Sequence, residues 1–478
     1  MSRRNLSAIA LVVAASLYFW QSTQGAKPKD EMMELYGVFV DAVEQVEANY
    51  VRPVSRRALL ESALRGMLQD LDPHSQFISE SDWKSFKKQI EGRYGGIGIQ
   101  VELDSQFNRL KVIAPMVGTP AYQAGVLSGD LILEIDGNST EGLTPDRAVE
   151  ILTGRLGTNV KLQVMHEGDT KPDMIEITRA LIDVPSVLGD RRKPDDTWDF
   201  MLDHDKKIGY LRITSFIQNT TEEVKHALSE LKEAGMKALV LDLRDDPGGL
   251  LSAAVEISDL FVDSGVIVST KGRNTPSKVY EAQKDALYDD FPMVVLVNQG
   301  SASAAEIVSA CLQDSGRAKV VGQRSYGKGS VQNILELEDG NSVLKLTVAS
   351  YLRPSGKNIH RFKTAKETDE WGVSPNPGLE VKLTTEQYIA YARNRIKRDL
   401  LTAKRNRKAA DVTEKPDAPK PPDEAKPKPD EVKAEEKFKE EPAAKTVEKA
   451  AEPPFVDTQL EKALSVVNEE LAKPSEKK

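Results

Sequence analysis

Along most of the chain, short apolar runs of the buried-strand type alternate with stretches whose apolar residues recur at helical spacing. Residues 31–50 and 57–70 read as two amphipathic helices, with Leu35, Val38, Val43 and Val46 among their apolar positions. Strand patterns follow at 94–101, 109–115, 129–137 and 160–164, with a short helix from Thr119 and a longer one over 145–152. From Lys207 the alternation becomes regular: strand 207–213, helix 221–235, strand 237–244, strand 292–297, helix 304–313, and on to Val321. This pattern predicts a mixed α/β core with a largely parallel central sheet. A hairpin over 333–351 is expected to turn at Asp339-Gly340-Asn341.

The two ends of the chain break the pattern. Met1-Ser2-Arg3-Arg4-Asn5 precedes an apolar run from Leu6 to Trp20, the plan of a secretory signal or short membrane anchor. The run is short against the ~20 apolar residues usual for a span. It predicts an exported protein, periplasmic or otherwise extracytoplasmic, held at the membrane by this segment if it stays uncleaved. Beyond Lys404 the composition shifts to Lys, Glu, Pro, Ala and Asp with almost no aromatic residue. Such a segment cannot bury enough apolar surface to offset its ordering entropy, so 404–454 is expected to be disordered. Helical pattern returns at Phe455-Val456-Asp457-Thr458-Gln459-Leu460. The expected divisions are 1–25 for export, 31–84 helical, 85–180 and 181–400 as two folded domains, 404–454 as linker and 455–473 as a terminal helix.

Candidate chemistry concentrates in Asn298-Gln299-Gly300-Ser301-Ala302-Ser303-Ala304-Ala305-Glu306 and in Gly327-Lys328-Gly329-Ser330-Val331-Gln332. The first follows an apolar strand and opens a helix. A serine there presents its hydroxyl where backbone N–H groups converge on an oxyanion. Serine needs a base at neutral pH, and a lysine serves once burial or a hydrogen bond keeps its amine neutral. Lys328, between two glycines, could approach closely. Read separately, the first motif is also an ordinary helix cap and the second an ordinary solvated turn; together they suggest a serine hydrolase with a lysine base. A second glycine signal, Asp245-Asp246-Pro247-Gly248-Gly249, ends the strand at 237–244. Paired glycines permit backbone conformations closed to other residues and leave N–H groups exposed.

The stretch GSASAAEIVSACLQDSGRAKVVGQRSYGKGSVQ, residues 300–332, resembles the active-site stretch of the carboxyl-terminal processing (tail-specific) proteases. The resemblance implies a Ser-Lys dyad on a core of the ClpP/crotonase-like kind, with Ser303 as nucleophile, Lys328 as base and Gln332 orienting the lysine amine. Ser301 is the competing nucleophile; the resemblance favours Ser303, whose separation from Lys328 matches the family's pattern. The Gly-Gly loop resembles the family's oxyanion loop, which implies the amides of Gly249 and Ala304 as donors. Asp246 stands where the family usually carries a neutral residue before the proline. The N-terminal helices resemble a region that often supports dimerisation in the family, and 455–464 resembles its C-terminal helix. The likeness spans roughly residues 35–383.

Residues 94–164 are similar in element order to a PDZ domain, within a region expected to span 85–180. That implies that the loop Gly96-Ile97-Gly98-Ile99 offers amides to a peptide's terminal carboxylate while the peptide adds as a strand beside the next segment. A phosphate-binding reading of this glycine loop fails because no βαβ unit follows. In the family the loop at 152–158 often carries an Arg before its first Gly; here Thr153 holds that place, with Arg155 nearby.

Composition narrows the classes further. The 478 residues carry a net charge of −9, which argues against a nucleic-acid partner. Five histidines, His74, His166, His204, His226 and His360, sit in no recognisable triad or HExxH motif, so no metal or cofactor is expected. Cys311, the only cysteine, cannot form an intramolecular disulfide and reads as packing. The whole predicts a multidomain α/β serine endopeptidase that takes exposed apolar C-terminal tails of proteins or peptides through its PDZ domain, with a homodimer and an activating adaptor left open. Two other classes compete: a non-proteolytic PDZ scaffold, and a binder of apolar small molecules on the same core fold.

Overall fold

The computed structural model describes residues 31–283, 287–399 and 455–473. The export segment expected at 1–25 and the linker expected at 404–454 lie outside the described residues. Among the described residues no helix is long and apolar enough to cross a membrane. The chain divides into two compact units, the first reaching Phe86 and including Val331–Ala349, the second comprising Lys87–Ser330 and the chain from Ser350.

The first unit opens with α1 (Glu31–Asn49) and α2 (Arg56–Gln69), then β1 (Gln76–Ile78) and the start of α3 (Glu80–Glu91). β1 pairs antiparallel with the strand Ser342–Leu352, setting Ile78 opposite Val343. Ile78, Trp83 and Val343 are buried together with Phe86 against them. The helical periodicity of α1 is real, yet its apolar side chains Leu35, Val38 and Phe39 are exposed. Between α2 and β1, Asp72 receives the N–H groups of His74 and Ser75 and the Ser75 hydroxyl, at 2.7, 2.9 and 2.7 Å. The turn at His74 is therefore built by the aspartate two residues before it.

The second unit begins with an array of short strands. β2 (Arg93–Gly96) pairs with a later strand; β3 (Ile99–Asp104) and β4 (Arg109–Pro115) form a hairpin; α4 (Pro120–Gln123) leads to β5 (Leu131–Ile135), α5 (Pro145–Leu152), β6 (Asn159–Met165), β7 (Asp173–Thr178) and β8 (Ala180–Asp183). The sheet order is β3-β4-β5-β6-β7, and β2 pairs with β8. One strand was expected over 94–101; two form instead. Gly98, at φ +78°, breaks the run, and a Cβ there would lie 2.4 Å from the Thr119 Cβ. Leu110, Ile132, Leu162 and Val164 are fully buried in the core beneath the sheet.

The larger core follows as β9 (Ile208–Ile213), α6 (Thr220–Glu233), β10 (Ala238–Asp242), α7 (Leu251–Asp259), β11 (Met293–Val297), α8 (Ala304–Asp314) and β12 (Lys319–Gly322). The strands β9, β10, β11 and β12 lie side by side and parallel. Every residue of β9, β10 and β11 is buried, which explains why they read as continuous apolar runs: a parallel sheet is covered on both faces. Part of that cover is α10 (Thr458–Leu471), which comes after α9 (Thr385–Asp399). Ala463, Val466 and Val467 of α10 pack on Ile208, Val240, Val294 and Val321. At its N-terminus Asp457 takes both terminal nitrogens of buried Arg244 at 2.9 Å, while Arg244 also holds Asp242 at 2.7 Å. Truncating one partner of such a buried ion pair would leave an uncompensated charge.

Candidate active site

Strand β11 delivers the chain into the turn Asn298–Ala302, and Ser303 stands at the N-cap of α8 with φ +55° and ψ −113°. A non-glycine residue held in this region of backbone space is strained, and the surrounding hydrogen bonds must hold it there. They come from the loop that follows β10. The Asn298 side-chain oxygen accepts the Asp245 and Gly300 N–H groups, both at 2.9 Å, and its amide nitrogen donates to the Asp245 carboxylate at 2.9 Å. Ala302 N–H donates to the Asp246 carbonyl at 2.9 Å. The Ser301 hydroxyl donates to the Leu243 carbonyl at 2.7 Å and accepts the Asn298 N–H at 2.9 Å. Ser301 is thus committed to joining the two loops. The Ser303 hydroxyl shares a hydrogen bond with the phenol of Tyr351, whose own pKa burial pushes up to about 12.

Glu306, one helical turn beyond Ser303, is wholly buried. One of its carboxylate oxygens accepts the N–H of Ser303 at 2.9 Å and the N–H of Lys328 at 2.8 Å. The other accepts the Gly327 N–H at 2.6 Å and the Ser325 hydroxyl at 2.5 Å. The amides of Ser303 and Lys328 are therefore within two hydrogen-bond lengths of each other, pinned by a single oxygen. Burial pushes the Glu306 carboxyl above its ordinary range, against the pull of these donors. The sequence carried a signal that went unread, because a glutamate three residues after a serine at a helix start is the capping-box spacing.

The Gly-Gly loop packs directly on the serine turn. A Cβ on Gly248, at φ +89°, would come within 2.6 Å of the Ala302 carbonyl oxygen and 2.7 Å of the Ala304 nitrogen. A Cβ on Gly249 would lie 2.0 Å from the Phe216 carbonyl oxygen. Phe216 pins this loop by receiving the Leu250 N–H at 2.7 Å and donating to the Gly248 carbonyl at 3.1 Å. Only glycine fits at either position. Asp246 is buried, accepts the Gly248 N–H at 2.8 Å, and leaves its second oxygen without a partner among the described residues. Burial pushes its carboxyl well above the usual range.

Gln332 falls in the first unit, half-buried on the strand Ser330–Leu337, where its amide donates to the Thr347 hydroxyl at 3.1 Å. Thr347 in turn donates to Asp72 at 3.2 Å. Asp72 and Thr347 are polar partners that sequence reading missed, since residues about 270 positions apart are joined only by folding.

The four glycine-loop residues of the smaller domain take different places. Gly96 ends β2 opposite Ala180, Ile97 is buried, Gly98 turns the chain and Ile99 opens β3. β3 is an edge strand of its sheet. Together with α5 it bounds a groove lined by Tyr94, Ile97, Ile99, Val149 and Leu152, with a volume of only about 20 Å³. At the end of α5 the structure places an arginine that the sequence reading did not single out. Buried Arg179 donates to the carbonyls of Leu152 and Ile151 at 3.0 Å and of Asn159 at 2.9 Å, so it caps the last turn of the helix.

A strained hydroxyl at a helix N-terminus, beside glycine amides and a lysine loop, can host nucleophilic attack with stabilisation of an oxyanion. Comparison with known proteins agrees in class. Residues 207–376 match the model of peptidase family S41, and residues 111–164 match that of a PDZ domain. The carboxy-terminal-processing protease of Bartonella bacilliformis is 36% identical over 391 residues, covering 81% of this chain and 82% of its own. The carboxy-terminal processing protease CtpA of Bacillus subtilis is 34% identical, covering 74% and 73%. The carboxyl-terminal-processing protease of a Synechocystis species is 36% identical, covering 70% and 74%. With identity of this level over most of both chains, this chain belongs to the carboxy-terminal-processing proteases of peptidase family S41, and it is a serine-type peptidase with a PDZ domain.

Proposed function

We propose that this peptidase is an exported endopeptidase that takes exposed apolar C-terminal tails on its PDZ domain and cuts them through an acyl-enzyme on Ser303. In this reading the Lys328 amine removes the Ser303 proton as the hydroxyl attacks the scissile carbonyl. The amides of Gly249 and Ala304 receive the oxyanion, and Lys328 returns the proton to the leaving amine. Gln332 orients the lysine. Water then repeats the sequence to release the second product. The incoming tail adds as a strand on β3, with its terminal carboxylate at Gly96-Ile97-Gly98-Ile99. The core is taken to be of the ClpP/crotonase-like kind, and a homodimer, an activating adaptor and attachment to the membrane through the N-terminal segment are compatible with it.

The observation that carries this reading is the single Glu306 oxygen that accepts the amides of both Ser303 and Lys328. A buried carboxylate used in this way fixes nucleophile and base in one frame. The engagement of the Ser301 hydroxyl on Leu243 leaves Ser303 as the better nucleophile. The test is cleavage of a loosely folded reporter with an apolar C-terminal tail, followed by mass spectrometry, for wild type, Ser303→Ala and Lys328→Ala. Cleavage by wild type alone supports the dyad. Full activity of the Lys328→Ala protein would overturn it.

A further inference from the structure

Beside the lysine loop lies a polar cavity of about 720 Å³ that the proposed chemistry does not use. Its walls include Gln299 from the serine turn, Arg324 and Tyr326 from the lysine loop, and Arg361 and Trp371 from the segment that follows the hairpin. The cavity adjoins the reacting groups through backbone contacts. Tyr326 N–H donates to the Ser301 carbonyl at 2.9 Å, and Arg361 N–H donates to the Gly327 carbonyl at 2.8 Å. Gly327 has no room for a side chain, since a Cβ there would meet the Arg361 Cβ at 2.7 Å and the Trp371 ring at 2.9 Å.

The charges around this cavity are unevenly matched. Arg324 lies 4.0 Å from Glu367 and donates to the Glu367 carbonyl at 3.0 Å and the Ser374 hydroxyl at 3.0 Å. Lys382 faces Glu380 at 3.4 Å. Arg361 is exposed, and among the described residues its guanidinium has no carboxylate partner; its recorded side-chain contact is with the Trp371 ring, 4.5 Å from the centroid. Arg324 lies 4.6 Å from the same ring. Trp371 itself is buried, with its indole N–H on the Lys366 carbonyl at 3.3 Å. A guanidinium stacked on a fixed aromatic ring is held in place while all its N–H donors stay available. A planar fork of this kind matches a carboxylate.

We propose that Arg361, steadied on Trp371, forms a specificity subsite for a substrate carboxylate close to the scissile bond. The inference rests on the proposed use of Ser303 and Lys328, because only that reading makes the cavity a neighbour of the bond being cut. The carboxylate belongs either to an Asp or Glu side chain or, in a substrate whose end is not held at Gly96-Ile97-Gly98-Ile99, to its own C-terminus. Both present the same chemistry to the arginine.

The test uses peptides built around the mapped cleavage bond. Each carries one Asp or its Asn twin at successive positions on either side, with a free or an amidated C-terminus. Full-length wild type, Arg361→Ala and Arg361→Lys are compared by kcat/KM. In wild type, one acidic position or the free terminus is expected to raise kcat/KM about tenfold over its neutral twin, the scale of one charge-assisted hydrogen bond. The ratio is expected to fall with added salt, to vanish in Arg361→Ala and to recover in part in Arg361→Lys. Dependence on the Asp-for-Asn exchange assigns the side chain as the source, and dependence on amidation assigns the terminus. Equal rates for all twins in wild type, or a preference that survives in Arg361→Ala, would overturn the subsite. Should wild type cut no peptide, the dyad reading fails separately. Anisotropy of the labelled twins on Ser303→Ala and Ser303→Ala/Arg361→Ala proteins then decides the subsite, tighter binding of the acidic twin to the first alone supporting it and equal binding overturning it.

Discussion

The serine turn and the groove between β3 and α5 of the PDZ domain are both built around glycines, yet they are held in opposite ways. At the serine turn, two loops are cross-linked by the Asn298, Ser301 and Ala302 hydrogen bonds, and Glu306 binds this turn to the lysine loop. The groove between β3 and α5 is nearly closed at about 20 Å³, and the end of α5 rests on one arginine. If the proposed tail adds beside β3, α5 and β3 have to part to admit it, at a cost drawn from the binding free energy of the tail.

This contrast would break first if the catalytic frame proved dispensable. Removing Ser303 or Lys328 is expected to lower kcat by at least about a thousandfold, the range seen when members of a catalytic unit are deleted, with tail binding retained. Stopped assays across pH give a second readout for the lysine. Activity should rise toward alkaline pH, because an amine base is protonated and idle near pH 5; a flat profile down to about pH 5 would contradict it.

The Glu306→Ala protein comes next. It strands three backbone N–H donors and a hydroxyl in a buried site, each costing on the order of 1–3 kcal/mol. Denaturant titration should register a loss of several kcal/mol together with loss of turnover. Glu306→Gln keeps the shape but turns a donor group toward those N–H groups, so an intermediate loss in both is expected. Unchanged kcat in Glu306→Gln would mean that the loops hold their register without the carboxylate.

Smaller effects sharpen the groove side of the comparison. Arg179→Ala uncaps α5, and tail affinity measured by anisotropy is expected to weaken about fivefold, near the value of one net hydrogen bond. Unaltered affinity would show the groove to be braced elsewhere.

The smallest effect concerns Asp246. Burial raises its folded-state pKa, so the folded protein retains a proton that the unfolded chain releases near the ordinary carboxylate value of about 4. Its contribution to stability is therefore full below that value and is lost as pH rises toward the folded pKa. Asp246→Asn removes this slope. The stability of the Asn protein relative to wild type should grow with pH above about 4, by at most about 1.4 kcal/mol per pH unit. Parallel stability curves for the two proteins would show that the carboxyl does not titrate in this window.

What could be read from sequence alone follows from which physical signals are local. Apolar runs such as Met293–Val297 and helical spacing such as Ala304–Asp314 are written in consecutive residues, so strands, helices and the parallel core were legible. The glycines at 248 and 249 and the serine turn were legible because backbone conformation is a local demand. Tertiary structure alone decided what those segments meet: Glu306 reaching across to Lys328, Tyr351 on the Ser303 hydroxyl, Arg179 beneath α5, and Arg244 caught by Asp457 more than 200 residues later. At Gly98 the structure shows what the sequence does not, that Thr119 lies so close that a Cβ there would stand 2.4 Å from the Thr119 Cβ. The apolar face of α1 looked like a core face and is exposed, because periodicity reports that a helix has an apolar side but not what covers it. Buried polar partners are chosen by proximity after folding, and proximity is the one quantity a linear sequence does not carry.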